Sequence, residues 1–317
     1  MKKILYIYPE HLKTKTFFKK ISLQNKRGNF IFINQKNKKK IFKEIVNSNA
    51  LINCPRVIFK EVFKKAKKLE WVHTGAAGIE DYLFSEFTNS RIKFTNGKIA
   101  QGPAMADHAI GLLLGFSRNL FFNSKDRKPK ERPIELFNKN CGVIGLGGTG
   151  ILIAERLRSF GMNIYAFNED NIPINSFYKK IEPIENIIPY LKNMDSIICC
   201  APYTKKTKNF INFNFFKKMK NNSIFINVSR GGIVKTDDLL KGKIYKKFKG
   251  IGLDVTNPEP LKKNHKLKKL DNVILSNHVS GNSDLNRSRA LSILEINIKR
   301  YLSRDNLINE VDKIKGF

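Results

Sequence analysis

The stretch "CGVIGLGGTG", residues 141–150, constrains the fold of this chain more than any other. It passes from a short apolar run of strand character straight into a helical one, and its glycines at 145, 147 and 150 have the spacing G-x-G-x-x-G. Glycine at the first position permits a tight turn, at the second lets the backbone approach a pyrophosphate, and at the third lets the helix pack close to the strand. The helix N-terminus then offers N–H groups and a positive dipole end to phosphates. In this strand–turn–helix setting the spacing predicts a dinucleotide-binding α/β unit, with Gly145, Gly147, Gly148, Thr149 and Gly150 in the cofactor-binding loop. The fingerprint calls for an acidic residue about 20 positions on, where the ribose is read. The stretch there is "IYAFNED", with Asn168 where Asp is usual and Glu169 and Asp170 behind it. Asn can still hydrogen-bond a ribose hydroxyl. No Lys or Arg stands in this loop to hold a 2′-phosphate, and two carboxylates would repel one. NAD is therefore expected, with NADP left open.

The rest of the chain alternates in the same way. Strands are expected at 3–8, 29–34, 50–54, 71–74 and 92–97, with helices at 39–48 and 61–70 between them. Gly102 and Pro103 open a helical run, "PAMADHAIGLLLGFSRNL", that is apolar on most faces and so should be buried, against its own core or a partner subunit. A charged loop follows at 123–133. Alternation then resumes, with strands at "NIYAF", "SIICCA", "SIFINVS", "GIGLDV" and "NVILSN". Helices are expected at 148–160, "PIENIIPYLKNM", "NFFKKM", "TDDLLKGK" and about 284–303. Strand–helix alternation predicts doubly wound parallel sheets with helices on both faces. At 317 residues the chain is long enough for two domains or one large one.

Composition excludes more than it assigns. No apolar stretch reaches the ~20 residues of a membrane helix. The opening "MKKILYIYPE" has too short an apolar run for a secretory leader and reads as a first strand, so a cytoplasmic protein without a membrane partner is expected. Cys54, Cys141, Cys199 and Cys200 lie in apolar strand-like runs without C-x-x-C or Cys/His metal spacing. They read as reduced core thiols, Cys199 and Cys200 facing opposite sides of a strand, and no metal is expected. The formal net charge of +32 invites a nucleic-acid reading. Its Lys residues, however, are spread through the chain and seldom interleaved with aromatics that could stack on bases. Weak, salt-sensitive adhesion to polyanions is expected, and no specific nucleic-acid partner.

Three further motifs follow strands. "INVSRGGIV" places Arg230 just past a strand end, "GLDVTNPEPL" places Asp254 at one with Glu259 beyond it, and "VILSNHVSG" places His278 after the last. In a doubly wound sheet ligands bind outside the carboxyl ends of the strands, so these residues should converge on the edge holding the dinucleotide. The set fits hydride transfer to a ketone, whose oxygen needs a proton. A His beside a carboxylate donates one well, and an Arg can polarise the carbonyl.

At these residues the chain resembles the D-isomer-specific 2-hydroxyacid dehydrogenase family, which includes glyoxylate/hydroxypyruvate reductases and phosphoglycerate dehydrogenases. The resemblance takes in "LEWVHTGAAGIEDYL", "GPAMADHAIGLLLGFSRNL", "CGVIGLGGTG", "APYTKKTKNFIN", "NVSRGGIV", "LDVTNPEPL" and "NVILSNHVSG", in order along most of the chain. It implies a Rossmann cofactor domain, 102–283, inserted in a flavodoxin-like substrate domain made of 1–101 and 284–317, and a homodimer formed through the cofactor domain. It implies His278 as acid/base, Glu259 as its partner, and Arg230 on the carboxylate and carbonyl of a small 2-keto or 2-hydroxy acid. Backbone N–H groups of Ala77 and Gly78 would also hold that carboxylate. Asp254 would hold the nicotinamide carboxamide, with Asn168, Pro202, Val228 and Gly281 also lining the cofactor. The departures are Asn168 for Asp, Thr149 for an aliphatic residue, Asn277 where Pro is common, and Lys268 where Trp is often seen. Glu259 argues against the formate dehydrogenase branch, which carries Gln there. Two other readings stay open from sequence: a non-enzymatic NAD-sensing or corepressor-like protein on the same scaffold, and a charge-driven nucleic-acid binder.

Overall fold

The computed structural model describes residues 1–9, 15–121, 132–169 and 178–317. The chain divides into two compact units, one of Met1–Ala100 with Asp284–Phe317 and one of Gln101–Ser283.

The first unit contains β1 (Lys2–Tyr8), α1 (Lys15–Gln24), β2 (Gly28–Asn34), α2 (Lys38–Ile45), β3 (Ala50–Ile52), α3 (Arg56–Lys65), β4 (Trp71–Thr74), α4 (Ser85–Thr88) and β5 (Lys93–Asn96). Its five strands pair in parallel in the order β2-β1-β3-β4-β5, the flavodoxin-like order. The central strands are buried on both faces, as a parallel sheet requires, and β1 and β3 carry mostly apolar runs there, while β4 also buries His73 and Thr74. The helices form by amphipathic spacing. Ile41 and Ile45 bury one face of α2, whose N-terminus is capped by the Asn37 side chain on Lys40 N–H. Ile58, Phe59 and Val62 do the same for α3. The sequence expectation for α3 was 61–70. The helix instead starts directly after Pro55 and ends at Lys65, and Ala66 is already extended. Proline fixes φ at a helix start, and the chain needs 66–70 to run into β4.

The second unit contains α5 (Gly102–Ser117), β6 (Asn140–Ile144), α6 (Gly148–Ser159), β7 (Asn163–Phe167), β8 (Lys180–Glu182), β9 (Ser196–Cys199), α7 (Phe213–Lys218), β10 (Ile224–Asn227), β11 (Gly250–Leu253) and β12 (Val273–Leu275). The seven strands run parallel in the order β12-β11-β10-β9-β6-β7-β8. The order reverses between β6 and β9, which makes that gap the topological switch point. α5 is buried within its own unit, where Ala106, Ala109, Leu112, Leu113 and Phe116 join Val143, Ile153, Leu157 and Ile226 in one apolar cluster. Each fully buried side chain of this kind contributes roughly 1.5–3 kcal/mol relative to exposure. Three features depart from the expected elements. The helix expected at "PIENIIPYLKNM" forms over Ile184–Asn193, but as 3-10 turns with Pro189 inside, where proline has no N–H to give an α-helical ladder. The short helix expected at "TDDLLKGK" is likewise 3-10. The edge strand β8 had no expectation. Asp170 and all but the last two residues of the charged loop at 123–133 lie outside the described residues.

The last helix, α8 (Asn286–Ser303), closes the first unit. Its buried Asn297 accepts from Ile308 N–H at 2.8 Å and donates to Ile308 O at 2.9 Å. This pins the tail, which adds an antiparallel bridge from Glu310 to Thr95 at β5. No helix among the described residues is long and apolar enough to cross a membrane. All four cysteines are free. Burial pushes the Cys54 and Cys141 thiols up to about 12, which keeps them protonated. Cys199 and Cys200 fall on opposite faces of the sheet, in separate apolar clusters.

Candidate active site

In the second unit the glycine turn follows β6 at the switch point. Gly145 has φ +96°, and a Cβ there would come within 2.6 Å of the Ala201 backbone. A Cβ on Gly150 would sit 1.9 Å from Gly145 O, so α6 touches the turn it starts from. Around Gly147 there is open space, with nothing within 4 Å of a Cβ. No side chain caps the N-terminus of α6. Room beside the turn and uncapped N–H groups fit a dinucleotide pyrophosphate. Thr149 points its hydroxyl at Met105 Sδ, 3.9 Å away.

The Asn168 side chain is used locally. Its Oδ1 accepts from Leu146 N–H at 2.9 Å, which ties the end of β7 to the glycine turn. The sequence offered no cation near Glu169. The fold supplies one: Lys206, from the loop after β9, has its Nζ 2.7 Å from Glu169 Oε1. That loop is stitched by Thr207, whose hydroxyl donates to Pro202 O at 2.7 Å.

Arg230, Asp254 and His278 follow β10, β11 and β12, three neighbouring strands of the same sheet. Asn227 organises the first of these ends. It accepts from Ser229 N–H and O–H and donates to Arg230 O. Arg230 Nη1 donates to Ser229 O at 2.8 Å. Gly231 crosses close to the next strand end, where a Cβ would lie 1.8 Å from Thr256 O. The Val228 side chain is buried in the α5 cluster, and Gly281 lies against Gln101.

His278 Nδ1 is 2.6 Å from Glu259 Oε1, with both side chains partly open to solvent. Its Nε2 has no partner among the described residues. His278 adopts φ +53°, a region sparsely populated by non-glycine residues. Asp254 holds the loop in that shape. Its buried carboxylate accepts from Ser276 O–H at 2.7 Å, Val279 N–H at 2.9 Å and Ser280 N–H at 3.0 Å, and its backbone O accepts from His278 N–H. Burial opposes the charge, but the hydrogen bonds from Ser280, Ser276 and the Val279 and Ser280 amides outweigh it and hold the carboxyl below its ordinary value. His108 of α5 completes the chain, with Nε2 2.9 Å from Ser276 Oγ. Sequence reading missed His108, since only the fold brings it to the loop after β12.

In the first unit, the loop after β4 has its carbonyls drawn away. Ala76 O accepts from Gly97 N–H at 3.1 Å, Ala77 O from Asn96 Nδ2 at 2.8 Å, and Gly78 O from Arg56 Nη2 at 3.4 Å. Gly75 N–H is taken by Asn53 Oδ1 at 2.7 Å. The Ala77 and Gly78 N–H groups have no acceptor among the described residues. These two adjacent amides, beside carbonyls already satisfied, are donors open to an anion.

Comparison with known proteins bears on this geometry. Residues 111–280 match the family model described as D-isomer specific 2-hydroxyacid dehydrogenase, NAD binding domain. The chain is 31% identical over 298 residues to a glyoxylate reductase of Pyrococcus horikoshii, covering 87% of each chain. It is 30% identical over 277 residues to a probable 2-ketogluconate reductase of Dictyostelium discoideum, covering 84% of this chain and 82% of that one. In fold it is similar, at TM-score 0.82 and 18% identity over the whole of both chains, to a probable 2-hydroxyacid dehydrogenase from Rhizobium etli in complex with NADP, HEPES and L(+)-tartaric acid.

Proposed function

Since this chain belongs to the D-isomer specific 2-hydroxyacid dehydrogenase family, we propose that it reduces a small 2-keto acid to the D-2-hydroxy acid with His278 as acid/base. The enzyme is an NAD(P)-dependent 2-hydroxyacid dehydrogenase, and the family relation supports keto acids such as glyoxylate as substrates. The observation that carries the assignment of His278 is its 2.6 Å contact with Glu259, at the sheet edge that also bears the glycine turn.

Bound at the glycine turn, the nicotinamide cofactor supplies the hydride. The protein's part is the proton and the orientation. Glu259 holds His278 through Nδ1, which leaves Nε2 to deliver a proton to the substrate oxygen. In the reverse direction the same arrangement leaves the Nε2 lone pair to accept it. Arg230 binds the carboxylate and polarises the carbonyl. The Ala77 and Gly78 amides also take the carboxylate. Gly145, Gly147, Gly148, Thr149 and Gly150 hold the pyrophosphate and Asn168 the ribose end, with Pro202, Val228, Asp254 and Gly281 along the cofactor. In this assignment 102–283 is the cofactor domain, and 1–101 with 284–317 the substrate domain.

Leu120, Phe121, Phe137, Ile151 and Phe160 of the second unit expose large apolar side chains. They support a homodimer formed through that unit, and light scattering at twice the 36.5 kDa chain mass checks the dimer.

The test is oxidation of NADH and of NADPH with glyoxylate, hydroxypyruvate, pyruvate and longer 2-keto acids. Turnover with at least one is expected. A folded protein that binds cofactor and turns over none of them overturns the proposal.

A further inference from the structure

We propose that Lys206 is a specificity-determining residue of the cofactor site, which admits the 2′-phosphate of NADPH beside Glu169 so that the chain binds NADPH as well as NADH. This rests on the glycine turn being the dinucleotide site. In such a unit the adenosine ribose is read at the end of the second strand, here β7. Asn168 occupies that end, fixed to the glycine turn through Leu146 N–H. Glu169 comes next, and alone it would repel a phosphate monoester, which carries about −1.5 to −2 charges at neutral pH. Lys206 lies 2.7 Å from that carboxylate and cancels its charge.

The pair is also easy to rearrange. Side-chain exposure is 63% for Lys206 and 27% for Glu169, and a surface ion pair of this kind is weakly held. A dianionic phosphate therefore outcompetes a single carboxylate for the ammonium. The backbone beneath stays in place, because Thr207 binds Pro202 O and accepts from Thr204 N–H at 2.8 Å. With NADH, which ends in a 2′-hydroxyl, Glu169 remains as an acceptor and Lys206 stays on Glu169. One pair thus serves both cofactors, the lysine answering the phosphate and the glutamate the hydroxyl.

The experiment is direct titration of NADH and NADPH binding to the whole chain, followed by nicotinamide fluorescence with no keto acid present. Wild type is expected to bind both. Lys206→Glu should weaken NADPH by about tenfold or more while leaving NADH within about threefold. Glu169→Gln should tighten NADPH several-fold. Raising the salt should weaken NADPH more than NADH in wild type, and this difference should vanish in Lys206→Glu. A wild-type chain that binds NADH alone, or a Lys206→Glu variant with an unmoved ratio of the two affinities, overturns the proposal. A folded wild type that binds neither cofactor overturns the dinucleotide reading and this proposal together.

Discussion

The two units share a doubly wound parallel architecture yet present their chemistry in opposite ways. In the first, the groups proposed for a ligand are backbone amides, those of Ala77 and Gly78, and side chains are the scaffolding. Asn53, Arg56 and Asn96 bind the neighbouring main chain of the loop. In the second, the amides of the glycine turn stand open as well, but the residues proposed to meet the substrate at the ends of β10 and β12 are side chains, and the scaffolding works on the backbone that carries them. Asp254 gathers the amides of 279 and 280 beneath His278, and Asn227 shapes the turn that carries Arg230. A strand end in a parallel sheet can be made into a site by either route.

The buried ionisable groups follow the same division. His73 in β4 is 1% exposed, and burial holds its pKa down to about 3, so the fold keeps it neutral. Asp254 is 2% exposed and kept charged by its hydrogen bonds. Acid should destabilise both units for opposite reasons. The unfolded chain gains a proton at His73 that the fold refuses, and a proton on Asp254 would break bonds the fold relies on.

Four substitutions probe this contrast. His278→Asn should remove the proposed proton donor and lower kcat by about 10²–10⁴-fold. Cofactor affinity, followed by titration, should hardly change. If kcat stays within tenfold, the side-chain route in the second unit is wrong. Asp254→Ala should leave Ser276 O–H and the 279 and 280 amides without their acceptor. At about 1–3 kcal/mol for each unsatisfied buried group, a loss of roughly 3 kcal/mol or more should appear in urea unfolding. The third variant concerns pH. Between 6.5, the ordinary imidazole value, and about 3, the unfolded chain binds a proton that His73 in the fold does not. Stability should therefore fall by about 1.4 kcal/mol per pH unit across that window on acidification, with no contribution above it. His73→Asn, which keeps a hydrogen-bonding side chain beside Thr95 Oγ1 but does not titrate, should flatten that slope. Asn96→Ala should have the smallest effect. It releases Ala77 O, costing about 1 kcal/mol, and should raise KM for the keto acid about fivefold with kcat nearly unchanged. An equal fall in kcat would mean that the loop does more than seat a carboxylate.

The contrast also explains what the sequence could disclose. Glycine spacing, strand periodicity and a His, Arg or Glu just past a strand are local, and the second unit is built from them. The fold class and the neighbouring strand ends of Arg230, Asp254 and His278 were legible for that reason. The carbonyl clamps of the first unit were not, because Asn53, Arg56 and Asn96 reach the 75–78 loop from two other strand ends. Nor were Lys206 beside Glu169 or His108 beside Ser276, each a pairing across distant parts of the chain. Asn168 was legible in position only. Its bond to Leu146 N–H shows an amide doing structural work that a carboxylate oxygen at the same place could also do. Helix limits were the least secure. Pro55 marks the start of α3 plainly once the strand after it is known, while apolar spacing alone favoured a frame five residues later.

Trp71 is the only tryptophan in the chain, and it lies fully buried in β4 with its indole N–H on Thr95 Oγ1 at 2.9 Å. The first unit therefore carries the molecule's sole tryptophan optical reporter, and the second has none. Indole emission will follow the melting of one unit while the other passes unseen, whereas circular dichroism records both. Any gap between the two melting curves measures how independently the units unfold, without a label or a truncated chain.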